Sequence, residues 1–509
     1  MLSRSTLATA LWLLTGTASA QVMIGPSDDA EGMLNALTAG DEAILADGTY
    51  TIDERFHLDL AGTEAEPIVI RAADGARPHF VQNAGQNIWD LDLRHVVIRG
   101  LEFSGGSAGL RFQSAEDVTI EDCEIHDTAD VALRMNDGGQ TYSRVHILRN
   151  HIHDTGGTGE GMYLGCNMDG CRLADSEIRG NYVHHTNAGD VTQGDGIELK
   201  EGSYGNVIAD NVIHDTNYPC LLGYGTVDNG PPNIVERNVM WSCGDHGIQW
   251  AADAVIRNNI VLSANNNGIA CQMHQSESPS DLVIVHNTVI APSNDALALR
   301  AVSGDVIVAN NALYAQSGRA LYVAGMTERV TVTGNVGEGA VEGASGGVAT
   351  GAIAADFVSA SYSGAPPMDV CPAAGALIGA ADAAHVTRVD FNGLERTGAH
   401  AGAYDHTDTN PGWTLQEDFK PEAVVPMPGV DAGPPDLDAG APMPGVDGGV
   451  DPTDGGGATR PMDGGAAGDT SDGCSCRATP GASSPGWLLA LLGALAMRRR
   501  RRREHTKST

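Results

Sequence analysis

One short pattern returns four times between residues 145 and 241, and it constrains the fold more than any other feature. Each copy has a β-branched run, an asparagine, a second β-branched run and a polar turn. The repeated asparagines are Asn150, Asn181, Asn211 and Asn238, at steps of 31, 30 and 27 residues. A repeat of this length is typical of architectures in which each unit buries its apolar face only against its neighbours.

The same register continues beyond these four copies. It includes Leu101, Cys123, Asn259, Asn287, Asn311 and Asn335. Steps between 21 and 31 residues are too irregular for a helical array, and the alternation within each unit predicts strand, turn, strand. We therefore expect an all-β right-handed single-stranded parallel β-helix over residues 81–340. Its strands would lie about 4.8 Å apart, so that the eight asparagines form a ladder inside a turn.

The sequence before the coils predicts two further segments. Residues 1–20 have Arg4, an apolar run over residues 7–14 and a small-residue end at Ala20, which predicts an export signal processed there. Residues 21–80 are expected to form an N-terminal cap and the first coils. A short amphipathic helix over residues 29–38 would cover the apolar end of the solenoid.

After the coils, residues 341–419 are expected to form a C-terminal coil or cap. Residues 420–472 are rich in Pro, Gly and Asp, which predicts a disordered linker. Residues 473–509 have Cys474, Cys476, a short apolar helix over residues 487–497 and six arginines. Eleven apolar residues give about 17 Å of helix, less than a bilayer core. This predicts transient membrane association, with a permanent single-span anchor as the alternative.

The formal net charge of −35 argues against nucleic acid as a partner, since phosphate binding needs a basic patch. Outside the cytoplasm, cysteines are expected to pair. Cys166 with Cys171 would close a short loop, and Cys220 with Cys243 would join adjacent coils. We also expect Cys123 and Cys271 in the core, and a monomeric chain.

Three parts of the sequence resemble known families. The stretches over residues 40–50 and 66–72 resemble the start of chondroitinase-B-like polysaccharide lyases within the pectate-lyase-like β-helix superfamily. Residues 390–396 and 402–404 are similar to the closing coil of secreted β-helix proteins. The tail resembles the myxobacterial sorting signal, which implies processing near Cys474 or Cys476 and display on the cell surface. The family implies polysaccharide or another surface glycan as the partner.

The densest group of candidate site residues lies around Gly194–Glu201. Alternation along the strands aims Arg134, Tyr163, Glu198 and Gln249 at one polar face, with Asn136, Lys200 and Tyr224 close by. In a lyase of acidic glycans, Lys200 would be the base, and Arg134 or a carboxylate-bound Ca²⁺ would neutralise the uronate. The candidate calcium ligands are Glu160, Asp190 and Asp195. Lys200 as the salt-bridge partner of Glu198 is the alternative.

Two further functions stay open. Paired carboxylates, Asp195 with Glu198 or Glu160, would serve glycoside hydrolysis, and His246 would lie beside them on the next coil. A non-catalytic glycan-binding or structural surface module is the other alternative, with Tyr163 and Tyr224 stacking on sugars.

Four histidines occupy one register just after the asparagines: His126, His153, His184 and His214. Turn hydrogen bonding copied by duplication explains such a column, and metal chelation is the alternative. His185 replaces the aspartate of the neighbouring column, which makes it a further candidate.

Overall fold

The computed structural model describes residues 20–423, apart from 406 and 408. Its main sheet contains 35 strands, each paired in parallel with the strand one coil before or after it. The first strands are β1 (Gln21–Ile24), β2 (Glu42–Leu45), β3 (Gly48–Ile52), β4 (His57–Ala61), β5 (Ile68–Ala72), β6 (Pro78–Gln82), β7 (Trp89–Arg99), β8 (Glu102–Gly105) and β9 (Leu110–Glu121).

The central coils carry the candidate site. They contain β10 (Glu124–Thr128), β11 (Leu133–Met135), β12 (Thr141–Leu148), β13 (His151–Thr155), β14 (Met162–Leu164), β15 (Arg172–Ala174), β16 (Glu177–Arg179), β17 (Tyr182–Thr186), β18 (Ile197–Leu199), β19 (Val207–Ala209), β20 (Val212–Thr216), β21 (Leu221–Gly223), β22 (Asn233–Glu236), β23 (Val239–Cys243) and β24 (Ile248–Trp250).

The last coils end at residue 350, and a separate antiparallel pair, β36–β37, follows them. The strands are β25 (Ala254–Arg257), β26 (Ile260–Leu262), β27 (Ile269–Cys271), β28 (Leu282–Val285), β29 (Thr288–Ala291), β30 (Leu297–Val302), β31 (Val306–Ala309), β32 (Ala312–Gly325), β33 (Val330–Thr333), β34 (Asn335–Glu342), β35 (Val348–Thr350), β36 (Phe357–Ser359) and β37 (Asp369–Pro372). The helices are α1 (Ala30–Asn35), α2 (Ile353–Asp356) and 3₁₀ turns at Asn167–Asp169, Thr327–Arg329 and Ala383–His385.

The eight predicted asparagines form one continuous ladder inside the coils. Asn211 is representative: its Oδ1 accepts from the backbone N–H and from Nδ2 of Asn181, both at 2.9 Å. Its Nδ2 donates to the carbonyl of Ile178 and to Oδ1 of Asn238, again at 2.9 Å. The pattern runs unbroken from Asn150 to Asn335. Buried amides are therefore fully used to join one coil to the next.

The residue before each ladder asparagine has left-handed backbone geometry, which turns the chain sharply at that point. Arg149, Asp210 and Arg237 adopt φ of 54°, 58° and 55° there. Gly180 and Gly334 occupy the same position in other coils, where a side chain would add strain.

An apolar core fills the coils from Ile24 to Val323. At the N-terminal end, α1 packs on β4 and buries Leu34 completely. Asp29 caps this helix by accepting from the N–H of Gly32 at 3.0 Å. The helix is shorter than the 29–38 span predicted from the sequence, and β1 precedes it as a first strand.

The segment after residue 350 does not form another coil. Residues 353–415 instead bury an apolar layer against the outside of the coils, where Trp241 and Tyr314 meet Phe357 and Tyr404. The predicted closing coil over 390–404 is part of this layer, and Arg396 donates to Oδ1 of Asn258 at 2.8 Å. The reason is physical: the outward apolar residues of β23, β26 and β32 need cover along their length.

Both predicted disulfides, Cys166–Cys171 and Cys220–Cys243, are present. Cys123, Cys271 and Cys371 are free and buried. The predicted linker begins later than residue 420, because Lys420 is buried in an ion pair with Asp210. Residues 1–19 of the predicted export signal, residues 424–472 of the predicted linker and the predicted tail with Cys474 and Cys476 lie outside the described residues. No helix among the described residues has the length and apolar content of a membrane span.

Candidate functional site

Strand register stacks the predicted polar face as expected. Arg134 in β11 pairs with Tyr163 in β14, and Tyr163 pairs with Glu198 in β18. Leu222 and Gln249 continue the column in β21 and β24. One wall of the coils therefore carries side chains that are 24 to 115 residues apart in sequence.

Loops cover the middle of this wall. Residues 272–281, here called the cover loop, run back from β27 to the coil of Lys200. The Oε1 atom of Gln275 accepts from the N–H of Met168 at 2.8 Å, and Oε1 of Glu201 accepts from the N–H of Ser276 at 2.9 Å. The Cys166–Cys171 disulfide closes the loop on which Gln275 docks. Consequently Glu198 and Lys200 are only 1 % and 4 % exposed, although the sequence predicts them at the surface.

Lys200 is held between an acid and two aromatic rings. Its ammonium group is ion-paired with Oε1 of Glu198. It also lies 4.4 Å from the ring centre of Tyr163 and 5.2 Å from that of Tyr224. Cation–π contacts of this kind stabilise a desolvated ammonium group. The salt-bridge interpretation of Lys200 therefore matches the geometry.

This environment keeps Lys200 charged. Burial alone lowers the pKa of its amine, but Glu198 and Tyr163 outweigh burial and raise the pKa above its usual value. A base needs the opposite shift. Lys200 is thus suited to neutralising an anionic group and not to taking up a proton.

His274, which the sequence analysis missed, joins the same cluster. Its Nε2 lies 3.0 Å from the hydroxyl of Tyr224, and that hydroxyl donates to Oε1 of Glu198 at 3.1 Å. Burial and the charge of Lys200 lower the pKa of His274, which keeps the imidazole neutral and able to accept a proton. Burial raises the pKa of Tyr224 well above its usual value. The cover loop has no repeat register, so nothing in the sequence places His274 beside Tyr224.

Three carboxylates form a buried group next to this cluster. Glu160, Asp195 and Glu198 each offer an oxygen, and these oxygens lie within 4.8 Å of one another. Among the described residues, neither carboxylate oxygen of Glu160 or Asp195 has a hydrogen-bond partner, nor has Oε2 of Glu198. Burial raises the pKa of Glu160, and burial together with Glu198 and Glu160 raises that of Asp195. These carboxylate oxygens are suitable ligands for a hard cation such as Ca²⁺, which prefers oxygen ligands.

Other predicted site residues lie apart from the cluster. Arg134 donates to Asp130 at 3.2 Å and to Asn136 at 3.0 Å. The predicted residues Arg134 and Asn136 therefore hydrogen-bond within their own coil. Asp190 is exposed and is not among the three clustered carboxylates, in contrast to its predicted role beside Glu160. Asp190 lies on a loop outside the stacked strands, where the repeat spacing does not predict the position of a side chain.

Two residues from later coils also have local partners. Gln249 accepts from Nε2 of Gln272 at 3.3 Å. Nδ1 of His246 accepts from the N–H of Asn267 at 3.1 Å. His246 therefore orders the turn that follows it.

Comparison with known proteins agrees with this architecture. Residues 77–192 and 172–313 match the family described as right handed beta helix region. The chain is a right-handed parallel β-helix protein. No protein of curated function matches its sequence significantly.

Solved structures similar to this β-helix protein include carbohydrate-related proteins of low identity. An alginate lyase from Paenibacillus sp. str. FPU-7 is 16 % identical over 65 % of this chain and 99 % of its own, with a TM-score of 0.38. The pectate lyase Pel9A is 14 % identical over 77 % and 97 %, with a TM-score of 0.41. XylC, solved with xylose, is 10 % identical over 65 % and 86 %, with a TM-score of 0.47. At such identities the likeness concerns the fold alone.

Proposed function

We propose that this protein is exported, displayed at the cell surface and acts on an acidic polysaccharide, which it cleaves by β-elimination. The observation that carries the proposal is the hydrogen-bonded group Glu198, Lys200, Tyr224 and His274 on one wall of the coils. Export and display rest on the N-terminal signal pattern and on the Cys-containing, Arg-rich tail.

β-Elimination needs three functions that this group can supply. A base removes the proton beside the uronate carboxylate, the bond to the departing glycosidic oxygen breaks, and a double bond forms in the sugar. His274, neutral near pH 7, is the base candidate in place of Lys200. Lys200, kept cationic, would neutralise the uronate carboxylate, and Tyr224 would pass a proton to the departing oxygen.

Access to Lys200 requires the cover loop to move. The hydrogen bonds that hold the tip of this loop include Gln275 with Asn167 at 2.8 Å and Ser276 with Glu201 at 2.9 Å. Loops that cover active sites open and close during turnover in many enzymes. His274 rides on this loop, so closure would bring the base to the bound sugar.

Two alternatives follow from specific observations. The buried trio Glu160, Asp195 and Glu198 would supply the acid and the nucleophile of a glycoside hydrolase. The buried ion pair of Glu198 with Lys200 beneath a loop also suits a structural role in a glycan-binding module that performs no chemistry.

One assay separates these functions. The full chain is incubated with alginate, pectate and chondroitin, with and without calcium, while ultraviolet absorbance of unsaturated uronate and reducing ends are followed together. Both signals rising indicates a lyase, reducing ends alone indicate a hydrolase, and binding without either indicates a module. The last two outcomes overturn β-elimination.

We expect His274→Gln to lower lyase turnover by about 100-fold, the usual contribution of a general base. His146→Gln is the matched control, because His146 is a comparably polar, part-exposed residue that pairs with Glu177 away from this group. Equal turnover in the two variants would contradict the role of His274.

A further inference from the structure

The most unusual surface outside the candidate site is a histidine face on the coils from β6 to β20. His126, His153, His184 and His214 stack one above another with ring centres 5.1 Å apart and ring planes within 10° of parallel. His79 and His151 stand in the neighbouring column of the same face, together with Glu102 and Glu124. Two histidine–glutamate groups repeat along this face.

The first group joins three successive coils. Oε1 of Glu102 lies 3.5 Å from Nδ1 of His79 and 3.2 Å from Nε2 of His126. In the second group, Oε1 of Glu124 lies 3.4 Å from Nδ1 of His151 and 3.1 Å from Nε2 of His153. The three candidate ligand atoms of each group lie within 4.8 Å of one another.

These separations match a tetrahedral metal site. Zinc binds imidazole nitrogen and carboxylate oxygen at about 2.0–2.2 Å, so ligand atoms on a tetrahedron lie about 3.3 Å apart. The nitrogen-to-oxygen distances of 3.1 to 3.5 Å in both groups fall around this value. Two imidazoles and one carboxylate leave a fourth position for water.

Carboxylates behind the ligands orient them as metal sites require. Nδ1 of His126 faces Asp127 at 2.8 Å, and Nδ1 of His153 faces Asp154 at 2.7 Å. Each of these imidazoles therefore has a carboxylate at both nitrogens, which leaves one nitrogen for a proton and the other for a metal ion. A carboxylate that holds the distal N–H fixes the tautomer of a ligating histidine.

A single arginine orients both glutamates. The guanidinium of Arg77 binds Oε2 of Glu102 at 2.8 Å and is also ion-paired with Oε2 of Glu124. Oε1 of each glutamate is thereby turned toward the imidazoles. The six ligand side chains are 15 % to 28 % exposed, so an ion can reach them from solvent.

The outer nitrogens of the remaining two histidines have partners of their own. Nε2 of His79 lies 2.7 Å from the hydroxyl of Ser104, and Nε2 of His151 lies 2.8 Å from Nε2 of His184. Nδ1 of each ring therefore faces its glutamate, in position to bind a metal ion.

We propose that the histidine face binds two divalent transition ions of the zinc class, one at His79, Glu102 and His126 and one at Glu124, His151 and His153. Each ion would tie successive coils together through side chains on one wall. This inference is independent of the proposed polysaccharide activity, because none of its ligands belongs to the candidate site.

The test uses the full chain, stripped with a chelator and reloaded with Zn²⁺ or Co²⁺. We expect two ions per chain by elemental analysis after dialysis, and with Co²⁺ the intense visible absorbance of a tetrahedral site. Glu102→Gln and Glu124→Gln each remove one ion, and the double variant removes both. Glu177→Gln is the matched control, since Glu177 contacts His146 at 3.6 Å and Arg179 at 4.0 Å, neither of which is a proposed ligand.

Circular dichroism of every variant shows whether the coils persist, and glutamine keeps the shape of glutamate. His126→Gln provides a second route to loss of the first site. Absence of bound metal in the reloaded full chain, or equal loading of the full chain and the double variant, overturns the proposal. In that case the contacts are imidazole–carboxylate hydrogen bonds only.

Discussion

Within the described part of the chain, the carboxyl groups of Glu160 and Asp195 are buried without hydrogen-bond partners, and their burial governs how the site responds to pH. Burial raises the pKa of each above its ordinary value near 4. Between the ordinary and the raised values, the folded chain binds more protons than the unfolded chain. Its stability must therefore fall as pH rises through that window.

Calcium should reverse this loss, because the cation binds the ionised carboxylates. We expect the melting temperature of the calcium-free chain to fall as pH rises above the ordinary carboxyl value of about 4, and added calcium to restore it at neutral pH. Asp195→Asn should abolish the calcium response and weaken the pH effect, since Glu160 still titrates with a raised pKa, whereas Asp190→Asn, a change at an exposed carboxylate, should preserve both. Thermal melts followed by circular dichroism measure all three. A calcium response that survives Asp195→Asn would exclude this trio as the binding site.

Local pairing also explains which site residues the sequence could reveal. Glu198 lies in β18, Lys200 directly follows that strand, and Tyr224 follows one coil later, so register alone brings them together. His274 reaches them through a loop that crosses back over earlier coils, and no periodicity describes such a path. Arg134 lies at the predicted register, but its guanidinium is hydrogen-bonded to Asp130 in the same coil.

At the scale of elements, the asparagine ladder is the joint between coils. Each rung is fully buried and uses both amide groups, so removing one rung leaves donors and an acceptor unpaired on two neighbours. The sequence predicts this ladder in full, because one residue type recurs at one register.

Asn211→Ala should therefore lower the free energy of unfolding by about 3 kcal/mol, as expected for several buried polar groups left without partners. Asn265→Ala is the matched control, because Asn265 is exposed and donates one hydrogen bond, to the carbonyl of Gly244. That change should cost less than about 0.5 kcal/mol. Urea denaturation of both variants measures the difference, and similar values would mean that the ladder contributes little.

At the scale of the whole described chain, residues 353–423 pack along the outside of the coils. Apolar packing over residues 353–415 is followed by buried charge, where Lys420 meets Asp210, which Arg179 and Arg237 also contact. The sequence indicates a terminal segment here but not its path, since Gly- and Ala-rich stretches lack the alternation that sets a register.

We expect Lys420→Met to lower the free energy of unfolding by about 3 kcal/mol, because it breaks a buried ion pair. The same change should make the last described residues more sensitive to protease, since it removes the ion pair that holds the end of the 353–423 segment. Asp418→Ala, two residues away and exposed, serves as the control and should change neither property. Urea denaturation and timed proteolysis give the two readings. Unchanged protease sensitivity in Lys420→Met would show that apolar packing alone holds this segment.

The asparagine ladder has a consequence for how the length of this protein can evolve. Every coil from Asn150 to Asn335 presents the same donor to one neighbour and the same acceptor to the other. Loss or duplication of one whole turn would thus leave two compatible surfaces facing each other, with no compensating mutation on either side. The length of the β-helix can therefore change by whole coils, while the loops of the individual coils diversify independently.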